Sequence, residues 1–386
     1  MLQADIERAK ELFGELLAGQ TERIEKMKQA GAAPDYTQMD KIVIGVIPGD
    51  GIGPVIMEQA LRVVNTMLAG PIADGKIELR MVPGLSVAER AAVMKSIPDE
   101  SREVLHACDV ILKGPLDNTS TKGLGSSVAA IRRELELSVN LRPVKNPALG
   151  YDWVMFRENI EGAYIWGSKG IQVDRDLAVD FVVETRQQSM HLAKVAFAYA
   201  RQNGRRHVSA ITKNNVIKLT DGNLLNACRE VAKDYPDIIY DERLVDITAS
   251  KLTDPEFNEN LEVLVLPNLY GDIISDIAAE LCGGVGTAGS ANIGARYALF
   301  EAIHGTAMML VNNGRAGYAD PSSLLRAVSM MFAHIGYGKE AKLLSDAMDI
   351  CGYTERRLKV TSFASDASTE AYTDYILETV EKLRQA

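Results

Sequence analysis

Apolar side chains at Ile6, Phe13, Leu16, Leu17, Ile24 and Met27 recur on one helical stripe, and charges fill the opposite face. The pattern predicts an amphipathic helix over residues 3–30, packed on the main body by its apolar stripe. The segment GAAPDYTQMD ends it, because glycine and proline interrupt helical runs. From Lys41 the period changes. KIVIGVI, KIELRMV, DVILKG, RHVSAIT and LEVLVLP are short runs rich in β-branched residues and read as buried strands. VIMEQALRVVNTML, ESREVLHAC, DGNLLNACREVAKDY and DIISDIAAEL, which lie between and after them, carry helical periodicity. Strands separated by helices predict parallel βαβ units and an α/β fold. The stretch from Pro321 to Ala386 reads as mostly helical, and no fixed-period repeat or low-complexity tract is found.

Length and charge narrow the function classes. A chain of 386 residues exceeds one ordinary core, so two domains are expected. A net charge of −10 argues against nucleic acid as a partner, though local arginines can still bind small anions. Cys108, Cys228, Cys282 and Cys351 are widely spaced and read as thiols in a reducing compartment. The charged opening MLQADIERAK lacks the apolar core of a signal peptide. No apolar run reaches the roughly eighteen residues of a membrane span. A cytoplasmic protein is expected.

Five segments carry candidate chemistry. Gly49-Asp50-Gly51-Ile52-Gly53 joins a strand to a helix. It reads as a backbone–ligand approach or as a plain turn, without the Rossmann spacing. Lys113, Ser126, Arg132, Arg142 and Arg157 supply cations and a hydroxyl suited to carboxylates, or else solvated surface. Asp272 and Asp276 are four apart in NLYGDIISD, hence on one helix face. They read as ligands for Mg²⁺ or Mn²⁺, with Asp246 as a third, or as an acidic helix start. Lys213 in ITKNNVIK and Tyr164 in FRENIEGAY are general acid–base candidates or ordinary surface residues. GGVGTAGSANIG followed by ALFEAIHGTA reads as a small-residue loop against a flat or phosphorylated ligand, with His304 beside it.

In this order, PGDGIGP, KGPL, RRELELSVNLRP, FRENIEGAY, TKNNVIK, NLYGDIISD and ANIG…FEAIHGTA resemble the isocitrate and isopropylmalate dehydrogenase family of β-decarboxylating dehydrogenases. The resemblance covers roughly residues 41–310, is looser to 386, and is absent from the N-terminal helix. It implies a large α/β domain from 41–137 and 283–386 and a smaller central domain from 138–282. The helical extension 1–40 precedes both. It also implies a homodimer with an interlocking clasp near 164–184 and active sites shared between subunits. By the same resemblance, Arg132, Arg142 and Arg157 hold substrate carboxylates, with Lys113 and Ser126 completing the pocket. Asp272, Asp276 and the other subunit's Asp246 bind the metal, Tyr164 protonates the enol, and Lys213 takes the hydroxyl proton. Asn215, Gly286, Asn292, His304, Gly305, Thr306, Ala307 and Asp320 fall to the dinucleotide.

The implied reaction is metal-dependent oxidation and decarboxylation of a 2-hydroxy polycarboxylic acid, in which the protein places and stabilises charge. Lys113 favours isocitrate, since isopropylmalate enzymes commonly have glycine there. Val128, where isocitrate enzymes carry asparagine, keeps homoisocitrate and 3-isopropylmalate as alternatives. Met309 and Leu310 stand where NADP-linked relatives often carry Lys-Tyr, so NAD is expected, with Arg315 the cation that would favour NADP. A non-catalytic regulatory subunit is the other class. The presence of Lys213, Tyr164 and the three aspartates argues for catalysis.

Overall fold

The computed structural model describes residues 2–28, 33–118, 121, 123–167, 170–284 and 288–385. Its strands are β1 (Ile42–Ile47), β2 (Ile77–Met81), β3 (Val110–Lys113), β4 (Val139–Asn146), β5 (Tyr151–Glu158) and β6 (Ile171–Gln172). They continue with β7 (Ala178–Val179), β8 (His207–Thr212), β9 (Ile239–Leu244), β10 (Val263–Leu266), β11 (Gly289–Ile293) and β12 (Ala298–Ala302). The chain divides into two compact units. One comprises Ala33–Leu137, Leu141–Asp152 and Ala278–Ala386, and the other Met1–Ala32, Ser138–Asn140 and Trp153–Ile277.

In the first unit the strand order is β2-β1-β3-β12-β11. The pairings β1–β2, β1–β3 and β12–β3 are parallel, as the strand–helix alternation predicts. β11 and β12 depart from that expectation and pair antiparallel. Only Gly294–Tyr297 joins them, closed by Gly294 N–H donating to the Tyr297 carbonyl at 2.9 Å, and so short a link cannot make a parallel crossover. The Ser322–His334 helix lies on β11, β12 and β3, and the helices Gly53–Met67, Gly338–Asp349 and Thr369–Gln385 pack in turn on it or on one another.

In the second unit the order is β5-β10-β8-β9, all parallel. The helices Arg186–Gln202 and Thr220–Ala232 pack together beside it. The N-terminal helix, Leu2–Lys28, lies on the Arg186–Gln202 helix and β6. Phe13 stacks on Phe181 with ring centroids 4.9 Å apart, and Trp166 meets Phe181 edge-on; Ile6, Leu16, Ile24 and Met27 are half-buried while Phe13 and Leu17 stay exposed, so the predicted stripe packs on the body only in part. Among the described residues no helix is long and apolar enough to cross a membrane.

Two local expectations are corrected. The helix expected at DIISDIAAEL begins earlier, at Asn268. Asp272 therefore sits in its second turn, and the acidic-helix-start reading fails. The small-residue stretch is a strand from Gly289, paired with β12 and buried without a break from Gly289 to Asn292 beneath the covering helix; Gly286 lies outside the described residues.

Candidate active site

In the first unit a buried carboxylate gathers the cations. Glu301 of β12 stands opposite Lys113, the last residue of β3, in the parallel register. Paired residues project on the same face of a sheet. Glu301 meets Lys113 Nζ at 2.9 Å through Oε2 and accepts from Arg132 Nη2 at 2.9 Å through Oε1. Asn292 Nδ2 donates to the same Oε1 at 2.7 Å. Desolvation would raise this carboxyl, but the two cations outweigh it and hold Glu301 well below the usual carboxylate range. Lys113 itself is 2% exposed. Arg132 rides on the helix Ser127–Glu134, whose N-cap is Ser126, with Oγ accepting from Ala129 N–H at 3.2 Å. Arg142, on β4, is also nearly buried.

The second unit places its chemistry beyond the carboxyl ends of its parallel strands. Arg157 of β5 donates to Asn268 Oδ1 through Nε at 3.0 Å and Nη2 at 2.6 Å, and through Nη1 to Asp272 Oδ1. Tyr164 donates its hydroxyl to Asp272 Oδ2 at 3.0 Å, with the Arg157 guanidinium 5.4 Å from its ring centroid. Asp276 lies one turn further on the same helix and is exposed. β8 and β9 end in register at Thr212 and Leu244. The residues just past those ends, Lys213 and Asp246, form an ion pair at 2.7 Å. That pairing lowers the Asp246 carboxyl, chiefly through the Lys213 hydrogen bond. Asn215 is exposed in the turn that follows Lys213.

The Gly49–Gly53 turn packs against backbone. Gly49 and Gly51 have φ of +85° and +63°. A Cβ at Gly49 would lie 2.1 Å from the Pro115 carbonyl oxygen, and one at Gly51 would lie 2.0 Å from that of Thr306. Asp50 N–H donates to Pro115 and Ile52 N–H to Thr306. The plain-turn reading is what this unit shows, and the turn fixes the start of the segment Thr306–Ala307. Ala307 adopts a left-handed φ of +46°, which exposes Gly305 and Ala307. His304 Nδ1 approaches the Gly305 carbonyl at 2.9 Å, and burial lowers its basicity. Asn292 is fully buried and spends its amide on Glu301 and the Leu299 carbonyl. Asp320 is raised by burial, caps Ser322 N–H at 2.8 Å, and borders a cavity of about 310 Å³ that Arg326, Arg356 and Lys359 also line. Arg315 stacks over Phe363 at 4.8 Å.

Two organising residues were not singled out from sequence: Glu301 and Asn268. Each had a signal. Glu301 interrupts the apolar strand ALFEAI, where a charge demands partners. Asn268 directly follows Pro267 at a strand end, a helix-start pattern.

In each unit cations and carboxylates cluster toward the carboxyl ends of parallel strands, where α/β sheets usually bind small ligands. The chain belongs to the isocitrate/isopropylmalate dehydrogenase family, whose model matches residues 43–376. It is 36% identical over 322 residues to 3-isopropylmalate dehydrogenase of Archaeoglobus fulgidus, covering 81% of this chain and 91% of that one. It is 37% identical over 325 residues to the probable isocitrate dehydrogenase [NAD] subunit alpha, mitochondrial, of Caenorhabditis elegans, covering 82% and 87%. Against isocitrate dehydrogenase [NADP] of Rickettsia prowazekii it is 36% identical over 79% of this chain but spans only 62% of that protein. Among solved structures, isocitrate dehydrogenase from Methylococcus capsulatus matches with a TM-score of 0.76 at 33% identity, over 88% of this chain and 99% of that one.

Proposed function

We propose that the chain oxidises and decarboxylates a 2-hydroxy polycarboxylic acid, isocitrate first, with NAD as the hydride acceptor. The observation that carries the substrate choice is the Lys113–Glu301–Arg132 cluster. Burying an ammonium is costly unless it is paired. An ammonium held this way suits a third carboxylate and is a poor neighbour for an isopropyl group. Arg142 and Arg157 are the further carboxylate partners. Lys213 accepts the hydroxyl proton and Tyr164 returns a proton to the enol carbon.

Asp272 and Asp276 stand one turn apart, Asp276 exposed and Asp272 half-buried against Arg157 and Tyr164, and as hard oxygen donors they fit Mg²⁺ or Mn²⁺. The ion, when bound, supplies Lewis-acid stabilisation of the alkoxide and enolate charge. Among the described residues no group of three or more acidic, histidine or cysteine side chains in this chain could hold a metal. The third carboxylate of this reading is the partner subunit's Asp246, the role the family resemblance implies. Val216, Leu219, Ile247, Leu269, Ile273 and Ile277 expose apolar surface in the unit that carries Lys213 and Asp246, which supports pairing with a second copy. NADP is the second reading for the cofactor, favoured by the Arg326, Arg356 and Lys359 cations around the cavity beside Asp320.

The test is turnover of the purified chain on isocitrate, homoisocitrate and 3-isopropylmalate with each dinucleotide and Mn²⁺. The highest kcat/KM is expected for isocitrate with NAD. Preference for 3-isopropylmalate would overturn the role given to Lys113, and turnover on none would favour a regulatory subunit.

A further inference from the structure

The N-terminal helix precedes the family-matching segment, yet it sends one charge into the body. Arg23 Nη1 meets Glu161 Oε1 at 2.7 Å, and the Glu161 side chain is fully buried. Glu161 also accepts from Thr185 N–H at 2.6 Å and Thr185 Oγ1 at 2.8 Å. Glu158 and Glu184 are buried beside it. Desolvation pushes all three carboxyls upward, neighbouring carboxylates add to this at Glu158 and Glu184, and Arg23 opposes it at Glu158 and Glu161.

From this cluster a continuous set of bonds leads to the candidate chemistry within the same unit. Asn268 Nδ2 donates to the Glu161 carbonyl at 2.8 Å and to Glu158 Oε2 at 3.3 Å. The other face of the same amide, Oδ1, takes two bonds from Arg157, which donates in turn to Asp272, where Tyr164 also donates. There is no slack between the segments: Gly162 has φ +70°, and a Cβ there would come within 2.9 Å of Asn268 Cβ.

We propose that Arg23 is a positioning residue. By holding Glu161 it fixes the 158–164 turn against Asn268, and so sets where Arg157, Asp272 and Tyr164 stand. The N-terminal helix is then a working part of the site. Without Arg23, Glu161 must gain a proton or move toward solvent, and either change disturbs the turn whose carbonyl anchors Asn268. The assignment rests on the roles given above to Arg157, Asp272 and Tyr164.

The experiment compares Arg23→Met, Arg23→Lys and the double variant Arg23→Met/Glu161→Gln in the full chain. Two readouts are taken: amide hydrogen exchange across 157–164 and 268–276, and kcat and KM with Mn²⁺. In Arg23→Met, exchange is expected to quicken in both segments and kcat to fall at least about tenfold, with KM for the dinucleotide moving less than about threefold. Arg23→Lys, which keeps the charge, and the double variant, which removes the need for it, are expected to recover most of both losses. Unchanged exchange and kcat in Arg23→Met would overturn the proposal, as would losses that neither companion variant reverses, because a packing role is indifferent to the charge on Glu161. Should Arg23→Met fail to fold, an inactive or fast-exchanging double variant overturns the proposal and an active, protected one supports it. If the unaltered chain turns over none of the substrates, the functional reading has failed by itself, and the exchange pattern decides the role of Arg23.

Discussion

At the scale of single residues, charges taken out of water are made tolerable by their partners. Glu301 holds two cations and a buried amide. Replacing it with alanine leaves the buried Lys113 and the half-buried Arg132 uncompensated, and is expected to cost about 3–5 kcal/mol of stability. Urea unfolding of Glu301→Ala would show it, and a loss within about 0.5 kcal/mol would contradict the pairing. His334 gives a prediction with a definite sign. It lies between Tyr36 and Phe300 at ring distances of 5.1 and 5.4 Å, and burial lowers its pKa to about 4 from 6.5. Between those values the unfolded chain binds the proton more readily, so stability falls as pH drops from 6.5 toward 4. Thermal unfolding of His334→Leu across this window is expected to show a shallower acid decline, with His191 and His304, also lowered by burial, leaving a residual slope. An unchanged slope would contradict the burial argument. Glu301 shows why part of the site was hard to read in sequence. The cation set Lys113, Arg132 and Arg142 was visible because arginine and lysine announce carboxylate chemistry. Their organiser was not, because a lone glutamate in an apolar strand reveals its partners only once β3 and β12 are paired.

At the scale of elements, short β-branched runs and the helices between them gave the parallel architecture, since that periodicity depends on local burial alone. The β11–β12 reversal was missed because the small residues of GTAGSANIG lack a β-branched run and imitate a loop. The start of the Asn268–Leu281 helix was missed because its first residue, Asn268, is held by side-chain bonds to Arg157 and Glu158, residues more than 100 positions away. The Ser127–Glu134 helix ties an element to function. It has only eight residues, carries Arg132, and starts at Ser126. Ser126→Ala removes the cap and is expected to cost about 1 kcal/mol. Because Ser126 is also assigned to the substrate pocket, KM for isocitrate should rise as well. A stability loss with KM unchanged would confine Ser126 to capping.

At the scale of the whole molecule, the claim is a metal-dependent decarboxylating dehydrogenase whose sites are completed by a second copy. Mixing the inactive variants Lys213→Ala and Arg142→Ala tests the sharing. In a hybrid dimer one site carries both lesions and the other carries neither, so activity should return as subunits exchange. Hybrids that form and stay inactive would place Lys213 in its own chain's site. The most direct measurement of the central claim follows both products together: CO₂ released and dinucleotide reduced from isocitrate, with Mn²⁺ and after exhaustive chelation. The account predicts equal amounts of the two products with the metal and neither without it. Reduction without matching CO₂, or full turnover in chelator, would contradict it.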